Sequence, residues 1–253
     1  MKQLEKLSQP VSKMKIRFIP LIIAVIFGCS ESDKVEPSTG TCYLTKFVKS
    51  PAFYDVFEWD VEGRVSKRRY YDNNKLYHTV NIIYGGSSTT LTYNYENGTE
   101  PNTVRYDYNS KGQLIKEVSS WGAFRDTVFF TYSDDSRYFK GINYKGTNAS
   151  EPQTFEWSNG NIIKASSYDG YIEFEYDNKI NPFQNMMCYD LGFETGVLPT
   201  FVKNNVIKST KYPNDGSAAI VETLTCKYNE KDYPIGYTAN GTENMSLEYQ
   251  CNN

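Results

Sequence analysis

Few side chains in this 253-residue chain could do chemistry. There is one histidine, His78, and there are five cysteines: Cys29, Cys42, Cys188, Cys226 and Cys251. A single imidazole without clustered thiols or a C-x-x-C pair offers neither a metal centre nor a Ser-His relay. His78 lies in an alternating stretch, residues 76–82, and reads as a surface strand residue. Asp134 and Asp135 read as turn formers, and Glu173 and Glu175 as one solvated strand face. A two-carboxylate glycosidase is the one hydrolytic chemistry such pairs would permit. No phosphate loop, dinucleotide fingerprint or nucleophile elbow is present. The chain therefore reads as a non-enzyme with no cofactor, metal or catalytic residue, and a hydrolase ranks third among its functions.

Cys29 stands apart because of what precedes it. Lys15 and Arg17 are followed by an apolar run over residues 18–27 and then Gly28. That run is too short to span a hydrocarbon core of ~30 Å and has the layout of a signal peptide. Ile26, Phe27, Gly28 and Cys29 resemble the lipobox of bacterial lipoproteins. Residues 1–28 are then a removable signal peptide, with Met14 as an alternative start, and Cys29 carries lipid. Residues 29–40 are polar and acidic, a flexible lipidated tether. Glu31 and Asp33 resemble the acidic export signal of Bacteroidetes surface lipoproteins. The expected place is the cell envelope, on the outer membrane and facing outward, with the membrane met through the lipid. A net charge of -3 gives no general attraction to nucleic acid. The four remaining cysteines permit three pairings, and nothing local chooses among them.

The elements that must position any site come from a degenerate repeat. Trp59, Tyr84, Tyr108, Tyr132 and Trp157 follow one another at 24 or 25 residues, and Tyr176, Tyr228 and Tyr249 carry the aromatic position onward irregularly. Upstream of each aromatic the residues alternate, as in Ile172, Phe174 and Tyr176 against Glu173 and Glu175, which is the period of a strand with one buried face. An Asp, Asn or Ser cluster ending in glycine (Gly63, Gly112, Gly160) then supplies a turn, and a second strand follows. With 22 Tyr and 14 Phe, the composition suits half-buried strands. The expected fold is all-β: residues 41–253 form one repeat-built domain, an antiparallel meander of about 14–16 strands that must curl strongly or close into a barrel-like sheet. Residues 177–212 break the period and should form a long connection, with a helical turn, packed across an open end.

Two resemblances follow from these motifs. The aromatic, Asp/Asn, Gly, Arg/Gln, Leu/Val pattern over residues 57–167 looks like the YD repeats of Rhs proteins, without their cargo domain. The lipobox cysteine, the hairpin at residues 57–67 and the segment at 174–183 resemble Bacteroidetes lipoproteins that carry a domain of unknown function with a porin-like fold. That resemblance implies a barrel-like antiparallel sheet and brings no catalytic residue. A barrel that itself spans the membrane is not expected, because the strands are short and outward positions hold Glu, Lys and Arg.

For ligand contacts, Lys67, Lys116, Lys140 and Lys164 share a repeat position and should line up on one side of the sheet. Trp121 and Phe124 should lie in an inter-repeat loop, where an aromatic can stack on a sugar. The candidate contacts are Trp121, Phe124, Lys116 and Lys140. They favour a binding or scaffolding lipoprotein with a carbohydrate or protein partner. The alternative is a structural or assembly component of an outer-membrane complex that binds no small ligand.

Overall fold

The computed structural model describes residues 41–133, 136–146, 152–187, 200–241 and 243–251. Cys29, the tether, Asp134, Asp135 and Cys188 lie outside the described residues.

Sixteen antiparallel strands form a closed barrel in chain order. The first eight are β1 (Cys42–Ser50), β2 (Phe53–Trp59), β3 (Val65–Asp72), β4 (Lys75–Tyr84), β5 (Ser88–Tyr95), β6 (Asn102–Tyr108), β7 (Leu114–Trp121) and β8 (Phe124–Tyr132). The others are β9 (Phe139–Gly146), β10 (Gln153–Ser158), β11 (Asn161–Ser167), β12 (Gly170–Tyr176), β13 (Val206–Pro213), β14 (Ile220–Tyr228), β15 (Pro234–Ala239) and β16 (Glu243–Cys251). The seam is β1 against β16. Its first pair is Cys42 opposite Cys251, and the two are joined by a disulfide with a Cα–Cα distance of 3.9 Å. Cys226 is free and buried.

Alternation sorts each strand into two faces. Val80 and Ile82 of β4, Leu91 and Tyr93 of β5, and Val104 and Tyr106 of β6 point inward and are buried. Their neighbours Asn81, Thr92 and Arg105 point outward. The outer wall carries Glu58, Lys67, Lys116, Glu175 and Lys208, several of them in ion pairs such as Lys116–Asp107 at 3.2 Å and Lys208–Glu175 at 2.6 Å. A membrane-spanning barrel has the opposite arrangement, an apolar band outside and a polar lumen, and a Lys or Arg on its lipid face costs about 2–4 kcal/mol at the midplane. These strands are also short, from 6 to 10 residues. The same outer wall also exposes Ile83, Phe129 and Val221, so charged and apolar side chains are mixed on it.

The rim where the chain enters β1 and leaves β16 is built from one recurrent device. In the β2–β3 turn, Asp60 Oδ1 accepts hydrogen bonds from the amides of Glu62 and Arg64 at 3.0 and 2.9 Å. Asn109 and Asn229 repeat this in the β6–β7 and β14–β15 turns. The left-handed residue each turn needs is Gly63 (φ 75°), Gly112 (φ 74°) and, in the third case, Asp232 (φ 61°). A register shift follows directly, between Glu58 and Trp59, Asp107 and Tyr108, and Lys227 and Tyr228 on the partner strands.

The spaced aromatics have a common task at this rim. Trp59 Nε1 donates to the Leu44 carbonyl at 2.8 Å, Tyr84 Oη to Val65 at 2.9 Å, Tyr132 Oη to Leu114 at 2.8 Å, and Trp157 Nε1 to Phe139 at 2.6 Å. Tyr176 and Tyr249 reach the carbonyls of Ile162 and Pro234, Tyr108 the hydroxyl of Thr89, and Tyr228 the carboxylate of Asp177. Each ring buries its body against the core and uses its polar tip to latch one hairpin to the one before.

The long connection between β12 and β13 closes this end. Phe183 packs edge-on against Phe47 of β1 at 5.2 Å, and Phe201 packs against Phe139 of β9 at 5.1 Å. In a ring of sixteen strands β1 and β9 are diametrically opposed, so the connection crosses the opening as a plug. Phe183, Met186 and Val202 are buried in it, and Thr200 and Phe201 are helical. Asparagines satisfy its backbone. Asn161 Oδ1 accepts from the amides of Lys203 and Asn204 at 2.9 and 3.0 Å, and Asn181 Nδ2 donates to the Val202 carbonyl at 2.8 Å.

Candidate functional site

The opposite rim differs in kind. No described segment crosses it, and four of its turns are tight two-residue links, at residues 51–52, 73–74, 122–123 and 168–169. Along its lumen side runs an arc of aromatic and amide side chains fixed by strand register. Tyr70 of β3 stands opposite His78 of β4, His78 opposite Tyr95 of β5, and Tyr93 opposite Asn102 of β6. Trp121 of β7 stands opposite Phe124 of β8. Asn102 Nδ2 donates to Tyr95 Oη at 2.9 Å, tying two members of the arc together. Trp121 and Phe124 share the lumen-facing phase of Glu117, Ser119, Val128 and Phe130, yet at the strand tips they are 38% and 55% exposed.

Trp121 and Phe124 were expected in a loop. They instead pair directly across a two-residue turn, Gly122 and Ala123, with Gly122 at φ 57°. This rigid placement loses less entropy on binding than a loop would.

His78 is the larger correction. It is not a surface residue but a lumen residue, in phase with Val80 and Ile82, and that phase is visible in the sequence. Four tyrosine rings surround it, Tyr70 at 5.2 Å and Tyr77, Tyr93 and Tyr95 each at 5.6 Å between centroids. Both ring nitrogens are buried without a hydrogen-bond partner. Burial, reinforced by the Arg68 charge, pushes the imidazole down to about 4, so it is neutral at physiological pH.

Below the arc lies a buried ion cluster. Asp55 is fully buried and accepts from Arg68 Nε at 2.7 Å and Lys49 Nζ at 3.0 Å. Burial raises its carboxyl pKa, but Arg68 and Lys49 together outweigh that and hold it below the usual range. Lys49 also sits over the Tyr70 ring at 5.3 Å. Glu117, equally deep, accepts from Ser119 Oγ at 2.8 Å. Among the described residues no three His, Cys, Asp or Glu side chains gather as a metal site.

The lysines do not form a stripe. Lys67, Lys116 and Lys164 face outward on β3, β7 and β11, each four strands from the next. Lys67 pairs with Glu58 at 3.3 Å, and Lys164 lies over the Tyr171 ring at 4.0 Å. Lys140 is out of step altogether. The β8–β9 turn is one residue longer than its counterparts, so Phe139 faces Tyr132 as Val65 faces Trp59, and Lys140 falls in the bulge.

No family model matches the sequence, and no curated protein matches it either. Among solved structures, a porin-like protein from Bacteroides vulgatus superposes with a TM-score of 0.54 over 82% of this chain and 99% of that one, at 13% identity. A likeness at that identity speaks for the fold alone: the chain has a porin-like barrel fold.

Proposed function

We propose that this protein is a lipid-anchored envelope module whose open rim binds carbohydrate. The observation that carries this is the aromatic arc at the rim remote from the tether. Lipid on Cys29 would hold the plugged end toward the membrane, since β1 begins there, and the thirteen-residue step to Cys42 reaches at most roughly 45 Å. The charged outer wall keeps the barrel beside the bilayer rather than within it. Trp121, Phe124 and Tyr95 offer ring faces, and the Asn102 amide offers both a donor and an acceptor, the combination that suits sugar hydroxyls and C–H faces. The same groups are poor acid–base catalysts, because Asp55 is locked by two cations and His78 has no proton to give near neutrality.

Screening the mature protein on a glycan array, followed by calorimetry, tests the proposal. Binding should be weak, with Kd of about 10 μM to 1 mM. Trp121→Ala should remove most of it and leave the melting temperature nearly unchanged. Persistent binding, or collapse of the fold in Trp121→Ala, would overturn the assignment. Anchorage is tested separately: a fatty-acid analogue should label the wild type and not Cys29→Ala.

A further inference from the structure

The outer wall of β6–β9 is rich in cations, as is that of β1–β3, where Glu58 pairs with both Lys67 and Arg69, but here the cations line a depression. Outward positions of β6, β7 and β8 enclose a depression of about 300 Å³ lined by Thr103, Arg105, Asp107, Lys116, Ser120 and Arg125, with Val118 as its floor. Register makes these residues neighbours. Thr103 faces Ser120, Arg105 faces Val118, Asp107 faces Lys116, and Ser120 faces Arg125. Lys145 of β9 faces Thr127 on the next pair of strands. The outward strand positions of β6–β9 thus hold four cations and one carboxylate in a chain whose net charge is -3. On the far wall, outward Glu173 and Glu175 of β12 face β13, and Glu175 is paired with Lys208.

The single carboxylate works as a brace. Asp107 accepts from Arg105 Nε at 2.7 Å and pairs with Lys116 Nζ at 3.2 Å. Burial raises its carboxyl pKa, but the two cations outweigh that and keep it ionised. One negative charge therefore orients two positive ones and leaves positive charge over. Arg125 makes no ion pair among the described residues and stands exposed at the top of the depression, next in sequence to Phe124, while Ser120 adjoins Trp121. Depression and aromatic arc meet at the β7–β8 turn, where alternation sends Trp121 and Phe124 to the lumen side and Ser120 and Arg125 to the outside.

We propose that this depression is a subsite for the acidic groups of an anionic oligosaccharide, one whose sugars carry carboxylate or sulfate and which passes over the rim at Trp121 and Phe124. This rests on the carbohydrate reading above and names the substrate class. Arg105, Lys116, Arg125 and Lys145 stand one on each of four adjacent strands, which lie about 4.8 Å apart, so positive charge is spread across the wall where repeated acidic groups can meet it. The hydroxyls of Thr103 and Ser120 and the carboxylate of Asp107 suit sugar hydroxyls. A flat anionic membrane fits less well, because the depression runs along the barrel's side while the tether enters at its end.

The test is calorimetry on the mature barrel with oligogalacturonate and a chondroitin sulfate oligosaccharide, using maltoheptaose as the neutral comparator. In low salt an acidic oligosaccharide should bind about tenfold tighter than the neutral one, and 0.5 M NaCl should erase the difference. Arg105→Gln with Lys116→Gln and Arg125→Gln should lose that advantage and keep the neutral binding that depends on Trp121. Arg125→Glu, at an exposed unpaired position, supplies a variant that leaves folding intact and should lower acidic affinity alone. Equal affinity for acidic and neutral ligands, or undiminished acidic binding in both variants, would overturn the subsite while leaving the carbohydrate reading standing. Binding of neither oligosaccharide class would overturn both, and tighter binding to phosphatidylglycerol vesicles than to either acidic oligosaccharide would overturn the glycan assignment.

Discussion

The two rims are made of the same sixteen strands and follow different rules. At the plugged rim, hairpin after hairpin uses an Asx or glycine turn, a bulge and an aromatic latch, and a long connection seals the opening. At the open rim four turns are tight two-residue links, and the buried groups include charged and uncapped polar ones such as Asp55 and His78. One rim repeats bulged turns with aromatic latches and carries the fold, whereas the other uses tight links, leaves its opening uncrossed by any described segment and can carry a site. A barrel can afford that division because closure satisfies every strand edge without help from either rim.

Substitutions sharpen the contrast, beginning with the largest effect. Replacing both Cys42 and Cys251 by Ala removes a cross-link over 209 residues and should lower stability by about 5 kcal/mol. Denaturant unfolding with and without reductant measures it, and a loss under about 1 kcal/mol would show that strand pairing alone holds the seam. Phe183→Ala in the plug should cost about 3–4 kcal/mol by leaving a cavity against Phe47. If it melts like wild type, the plug is a cover rather than part of the core.

Turn substitutions come next. Gly112→Ala should cost about 1 kcal/mol, the penalty of a left-handed residue with a Cβ that meets open space. Gly63→Ala should cost more, because its Cβ would lie 3.1 Å from Tyr43 Oη. Equal shifts in thermal melts would remove the Tyr43 contact from the account.

At the open rim the expected effects are smaller and depend on pH. The folded His78 has its pKa depressed from 6.5 to about 4, so between those values the unfolded chain binds more protons than the folded one. Stability should therefore fall as pH drops from about 6.5 toward 4, and His78→Phe should flatten that part of the profile relative to wild type. Identical pH profiles for the two proteins would mean the ring is solvated. Trp121→Ala should change stability by less than about 0.5 kcal/mol, as exposed positions do. A larger loss would place it in the core and make the rims more alike than described.

Much of the plugged rim was legible in the sequence. The residues spaced at 24 or 25 are the latch donors, Gly63 and Gly112 take the expected positive φ, and the interruption after Asp177 is the plug. These signals are local, each confined to one hairpin. The seam was not legible, because Cys42 and Cys251 are 209 residues apart and only global closure makes them partners. Lys140 was misplaced because one extra turn residue shifts the register invisibly. In His78 two signals conflict: its polarity suits the outer face, whereas its spacing from Val80 and Ile82 sets it in the buried phase, and spacing prevails. The aromatic arc combines residues from six strands, and no linear motif records such a juxtaposition.

The disulfide also bears on mechanics. If the chain is tethered through its N-terminal segment, any pull enters the fold at Cys42, the first residue of the seam. A strand loaded at its end normally peels from its neighbour one hydrogen bond at a time. Here the first register pair is covalent, so tension passes at once into β16 as well as β1. Force applied to the anchor would have to shear two strands from their outer neighbours β2 and β15 rather than unzip one, and a barrel dragged by its tether should stay shut.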